Sequence, residues 1–136
     1  MAMATILAHI TVKAGEEQRF EALARSLYTD THALESEVLR YEYWRGAEVG
    51  SYYTLLSFTD AAAFWAHQVS DHHEQAADEL GEILAAIRLE WVDPLEGASE
   101  LPRTTAHEVA ADADEATRRA ARLFAPRLAA WWSEQS

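Results

Sequence analysis

Three histidines, His67, His72 and His73, crowd the stretch FWAHQVSDHH that runs from Phe64 to His73. Imidazole, with an ordinary pKa of about 6.5, exchanges a proton readily near neutral pH. A general base is therefore the first chemistry these residues offer, with His67 and His72 as candidates. A metal centre is the second, and the spacing speaks against it. His67 and His72 lie about 140° apart around a continuous helix, and Ser70 is a natural break between them. His72 and His73 point in different directions. Asp71 or Glu74 would have to join, and neither completes a compact set of two histidines and a carboxylate. No metal is expected. The chain has no cysteine, which removes disulfides, a thiol nucleophile and any cysteine-held metal.

Each candidate also has a plain structural reading. A histidine near a helix end often bonds the neighbouring turn, so His67 and His72 either line a cavity or simply pack. His73 is expected in solvent. Phe64 and Trp65 suit a core or a subunit contact as well as a ligand. Tyr41 and Tyr43 lie in VLRYEYWR, where alternation puts them with Leu39 on one face. Val38, Arg40, Glu42 and Trp44 take the other face. A tyrosine hydroxyl aimed into an apolar cavity suits orienting a phenol or quinone. His9 is expected to be a satisfied interface residue rather than a base.

The elements that must position these residues follow from periodicity. TILAHITV, 5–12, alternates apolar and polar positions as a strand does. From Glu16, the residues Phe20, Leu23, Ala24, Leu27 and Leu34 recur at helical spacing. VLRYEYWR, 38–45, and SYYTLLSF, 51–58, read as strands joined by the glycine-bounded loop GAEVG. Thr59 or Asp60 can cap a helix over 60–69, and Ser70 or Asp71 a third one. That third helix carries Leu80, Ile83, Leu84 and Ile87 at helical spacing, before the strand RLEWV, 88–92. The order β-α-β-β-α-α-β predicts an α+β, ferredoxin-like domain over 1–93.

DPLEGASELPRT then ends the domain, giving a linker over 94–104 and an amphipathic helical arm over 105–136. Thr105 and Glu108 form a capping-box pattern for the arm. Leu123, Phe124, Leu128, Trp131 and Trp132 make its apolar stripe, and Pro126 interrupts it. Since the domain's own helices face its sheet, the arm is expected to dock on a partner subunit.

The 136 residues suit one core domain, and 49% of them are hydrophobic. A net charge of −12 lacks the basic patch that nucleic acid needs. No leader and no membrane-spanning run is expected, so the chain reads as cytoplasmic.

The sequence resembles the antibiotic biosynthesis monooxygenase (ABM) family. The resemblance rests on VKAG, EEQRFEAL, LRYEYWR, YYTLLSFTD and AAAFWAHQVSDHH, in that order across residues 5–93. Members carry a strand like Leu39-Arg40-Tyr41-Glu42 and a helix pattern that falls here on Phe64, His67, Ser70 and His72. The resemblance implies a homodimeric α+β barrel, with a ligand cavity between sheet and helices in each protomer. It implies cofactor-independent oxidation of a neutral aromatic, such as a polyketide-like phenol; Tyr41, Tyr43, Phe64 and Trp65 are the candidate substrate contacts. Two departures stand out: ALESEV lacks a proline-glycine turn, and Ala8 occupies a position where several oxygenases carry asparagine. The haem-degrading branch's alanine-histidine pair is replaced by EQAADELG, so haem is disfavoured. The fold also hosts other chemistry, leaving two alternatives: a non-catalytic module binding a small ligand, and an isomerase or cyclase. The open sheet face, which the dimer would cover, is expected to be apolar or aromatic on every strand.

Overall fold

The computed structural model describes residues 4–95, 97–101 and 112–123. Along the chain run β1 (Ala4–Val12), α1 (Glu17–Leu34), β2 (Val38–Arg45), β3 (Ser51–Phe58), α2 (Ala61–Gln68), α3 (Asp71–Ile83), β4 (Leu84–Trp91) and α4 (Glu115–Leu123). The strands form one antiparallel sheet in the order β2-β3-β1-β4. This is the ferredoxin-like arrangement expected from the element order.

Strand alternation divides the sheet cleanly. Ile6, Ala8, Ile10 and Val12 of β1 are buried beneath the helices, as are Tyr52, Leu56 and Phe58 of β3 and Tyr41 of β2. From α1, Phe20, Ala24, Leu27 and Thr31 pack down on one stripe. Leu34 is 70% exposed and does not join it. Short helix α2 is buried almost all round, with Ala61, Ala63, Phe64, Trp65, His67 and Gln68 covered. Its entry is fixed by Asp60, whose carboxylate accepts from the Ala63 amide at 2.8 Å. The Ser70 hydroxyl caps α3 in the same way.

Three local expectations change. The third helix stops at Ile83, and Leu84 and Ile87 belong to β4, paired with Val12 and Ile10 of β1. These residues fit helical spacing, but unpaired β1 backbone offers them a ladder, and the ladder wins. A register shift between Val38 and Arg40 turns Val38 towards the core beside Phe58, and leaves Leu39 exposed. The open sheet face is mixed rather than apolar throughout. Leu7, Tyr53, Leu55 and Trp44 lie on it, but Arg40 and Glu42 of β2 and Arg88 and Glu90 of β4 do too. His9 is on this face, 2.9 Å from Glu90 and edge-on to Tyr53.

The arm's described helix begins at Glu115. Asp114 caps it, its carboxylate accepting from the Thr117 amide at 2.8 Å. It rests against α2 of the same chain. The arm therefore meets its own domain, contrary to the expectation that those helices had no face to spare. Thr105, Glu108 and the side chains of the stripe from Leu123 to Trp132 lie outside the described residues. Among the described residues no helix is long and apolar enough to cross a membrane.

The β2–β3 loop closes on Gly50, whose φ of +86° suits glycine alone. Its carbonyl accepts the Val12 amide at 2.8 Å, and an added Cβ would sit 3.1 Å from the Val12 carbonyl oxygen. Gly50→Ala is expected to cost about 1–2 kcal/mol. Urea unfolding measures this; unchanged stability would contradict the geometry.

Candidate functional site

A cavity of about 310 Å³ lies between the sheet and helices α1 and α3. Its apolar wall includes Ile10, Leu56 and Leu89 of the sheet, Phe20 and Leu27 of α1, and Leu80 of α3. Six polar side chains reach it: Tyr41, Tyr43, Thr54, His67, Gln68 and His73. This is the profile of a small-molecule site, an apolar enclosure with a few placed polar groups. A larger groove of about 550 Å³ runs between α1 and β2. Its Glu21 already binds both Arg45 and the Tyr52 hydroxyl, and no histidine lines it.

The sequence candidates separate into two groups. Tyr41, Tyr43 and His67 line the cavity together. Tyr41 and Tyr43, two residues apart on β2 and so on one face, share a hydrogen bond of 2.6 Å. Burial, followed by its tyrosine neighbour, pushes the Tyr41 hydroxyl well above its ordinary range. Burial pushes Tyr43 up to about 12. Both stay protonated at neutral pH and serve as hydrogen-bonding groups, not bases.

Phe64 and Trp65 are displaced from the ligand-contacting role expected of them. Phe64 packs against Phe58, Trp65 and Trp91, with ring centroids 5.9, 4.7 and 5.5 Å away. Neither Phe64 nor Trp65 borders the cavity. Helical geometry turns them away from the cavity and into the aromatic cluster with Phe58 and Trp91. His72 also stays out of the lining.

The residue that organises this region is Glu35, which no spacing argument singled out. It is the C-cap of α1, where the chain turns extended. One oxygen of its carboxylate accepts from His67 Nδ1 at 2.8 Å and from His72 Nε2 at 2.5 Å. The Ser70 hydroxyl donates to the His67 carbonyl and stands 3.1 Å from His72 Nε2. Burial would raise the Glu35 carboxyl, but the hydrogen bonds and charges of His67 and His72 outweigh it and hold it below its ordinary value. The group is an ionised acceptor at neutral pH.

A carboxylate cannot donate, so the neutral form of His67 that pairs with it carries its proton on Nδ1 and keeps a lone pair on Nε2. Its side chain is 1% exposed, and the ring borders the cavity. His73, expected in solvent, borders the cavity too. Burial, and then the charges of His67 and His72, push it down to about 4, so it is neutral and a weak base. Thr54 adds a different signal. It is 3% exposed, and its hydroxyl oxygen is buried without a hydrogen-bond partner among the described residues. An orphaned hydroxyl in a cavity wall is normally satisfied by whatever fills the cavity. Strand alternation alone would have placed Thr54 on this face.

Comparisons with known proteins agree with this fold. The family model "Antibiotic biosynthesis monooxygenase" matches residues 3–79. A search of curated proteins finds no match. Among solved structures, a Pseudomonas aeruginosa protein aligns with a TM-score of 0.64 at 21% identity, covering 70% of this chain and 96% of its own. A Mycobacterium tuberculosis protein aligns at 0.65 and 20% identity, covering 72% and 100%. A Caulobacter crescentus CB15 protein, proposed to be an antibiotic biosynthesis monooxygenase, aligns at 0.65 and 25% identity, covering 69% and 91%. The chain belongs to the antibiotic biosynthesis monooxygenase family.

Proposed function

We propose that this protein is a cofactor-independent monooxygenase that oxidises a compact, neutral phenol or enol held in the cavity beside His67. The observation that carries the reading is the Glu35–His67 pair: an ionised carboxylate fixing an imidazole that borders an apolar cavity. Glu35 sets the tautomer, and His67 Nε2 takes the substrate's hydroxyl proton. Tyr41, Tyr43 and Thr54 orient the oxygen substituents. The electron-rich anion then passes an electron to dioxygen; one oxygen atom becomes a carbonyl on the substrate carbon, giving a quinone-type product, and the other leaves as water with the two hydrogens that the substrate loses from that carbon and its hydroxyl. At about 310 Å³ the cavity is near the lower end of small-molecule sites, which favours a compact ligand. The acidic surface, with its net charge of −12, favours a neutral one.

The test is oxygen uptake by chelator-treated protein offered a panel of neutral phenols, with no flavin, haem or metal added. Conversion that consumes oxygen is expected. Conversion without oxygen would favour an isomerase or cyclase instead. Binding without turnover would favour the ligand-binding module, a reading supported by Ala8, which leaves the cavity wall on β1 without an asparagine amide.

The same reading includes a homodimer through the open sheet face, where Trp44 is 59% exposed beside half-covered Leu7 and Leu55. Ion pairs such as Arg88–Glu90 and Arg40–Glu42 would frame this apolar centre. Sedimentation at micromolar concentration is expected to show a dimer, and Trp44→Asp to shift it towards monomer. A monomeric parent protein would overturn the proposal.

A further inference from the structure

Glu35, His67 and His72 come from three helix ends: the C-cap of α1, the last turn of α2 and the first turn of α3. Chain separation hid the set, since the carboxylate lies more than thirty residues before either histidine. In space, one ligand atom from each falls within 4.8 Å of the other two. We propose that these three side chains bind one divalent transition-metal ion of the zinc type, and that filling this site silences His67 as a base. The second half rests on the function proposed above; the first does not.

The donor set is two imidazole nitrogens and one carboxylate oxygen, which suits zinc, cobalt or iron(II) and not magnesium or calcium. Bonds of about 2.0–2.1 Å in a tetrahedral site put ligand atoms roughly 3.3–3.4 Å apart. The present contacts of 2.8 and 2.5 Å must therefore open by under about 1 Å, a small side-chain adjustment. The Ser70 hydroxyl lies 3.1 Å from His72 Nε2 and can hold a water in the fourth position. Among the described residues, Glu35 forms ion pairs with these two histidines and with no lysine or arginine that would compete with a cation.

Binding requires lone pairs at His67 Nδ1 and His72 Nε2. Each neutral ring therefore keeps its proton on its other nitrogen. For His67 that nitrogen is Nε2, the atom assigned to receive the substrate proton. Metal on one side of the ring converts an acceptor into a donor on the other. No electron moves and no bond to substrate forms; the base is simply occupied.

Chelator-stripped full-length protein should be titrated with Zn²⁺ by calorimetry and with Co²⁺ by visible absorption. One ion per chain and the intense d–d bands of four-coordinate cobalt are expected. His72→Gln should weaken binding by more than about 100-fold, beyond the loss typical of an outer-shell partner. Glu35→Gln should do the same, and circular dichroism checks that both variants fold. No stoichiometric binding, or equal binding by both folded variants, would overturn the site. Oxygen uptake should fall in step with zinc occupancy and return with chelator. Stoichiometric binding with undiminished turnover would leave the metal site standing and overturn His67 as the base.

Discussion

Replacing His67 by alanine is expected to lower oxygen-dependent turnover by about 10²–10⁴-fold, the usual contribution of a positioned general base. The other titratable groups of the cavity are unsuited to the task. Tyr43 is pushed to about 12, Tyr41 lies well above its ordinary range, and His73 is held at about 4. The tyrosines stay protonated, and His73 is too weak a base for a phenol. Among the described lining residues only His67 has an ionised carboxylate behind it. Glu35→Gln should cost about 10–100-fold, because the amide can donate to Nδ1 and favour the wrong tautomer. His72→Ala should cost less, about tenfold, because His72 acts only through Glu35. Initial rates at saturating phenol, with thermal unfolding as a control for folding, give this ranking. Full activity in folded His67→Ala would remove the histidine from the mechanism.

Phe64→Ala is expected to destabilise the protein by about 3–5 kcal/mol. Phe64 is fully buried, and its ring meets Phe58, Trp65 and Trp91. Dense packing on all sides prevents the surroundings from collapsing into the space left behind. Urea unfolding of parent and variant measures the loss. Leu34→Ala, at 70% exposure, should change stability by less than about 0.5 kcal/mol. Phe64 lies off the cavity, so activity per folded molecule should hold. A loss below 1 kcal/mol, or a selective loss of turnover, would contradict its place in the core.

Much of this arrangement was legible in the residues. Alternation in TILAHITV and SYYTLLSF, the Asp60 and Ser70 caps and the glycine-bounded hairpin were enough to order the elements. The paired tyrosines and His67 also emerged, because alternation and the family pattern both point to the cavity face. Two kinds of information were missing. Leu84 and Ile87 satisfy helical and strand periodicities alike, and only pairing with β1 decides between them. Glu35 had no local signature at all: a glutamate ending a helix is usually solvated, and its partners lie on other elements. Spacing along the chain offered only the sequence neighbours Asp71 and Glu74, whereas the carboxylate beside His67 and His72 is Glu35, at the end of α1. Phe64 and Trp65 suited a core and a ligand contact alike, and the fold packs them with Phe58 and Trp91.

The central claim is that Glu35 holds His67 with its proton on Nδ1 and its lone pair on Nε2, facing the cavity. Nitrogen-15 NMR of the imidazole rings in chelator-treated protein at neutral pH reads this directly, with His67→Gln used to assign the signals. The account predicts a protonated Nδ1 and an unprotonated Nε2 for His67, with that preference lost in Glu35→Gln. A proton resident on Nε2 in the parent protein would contradict it.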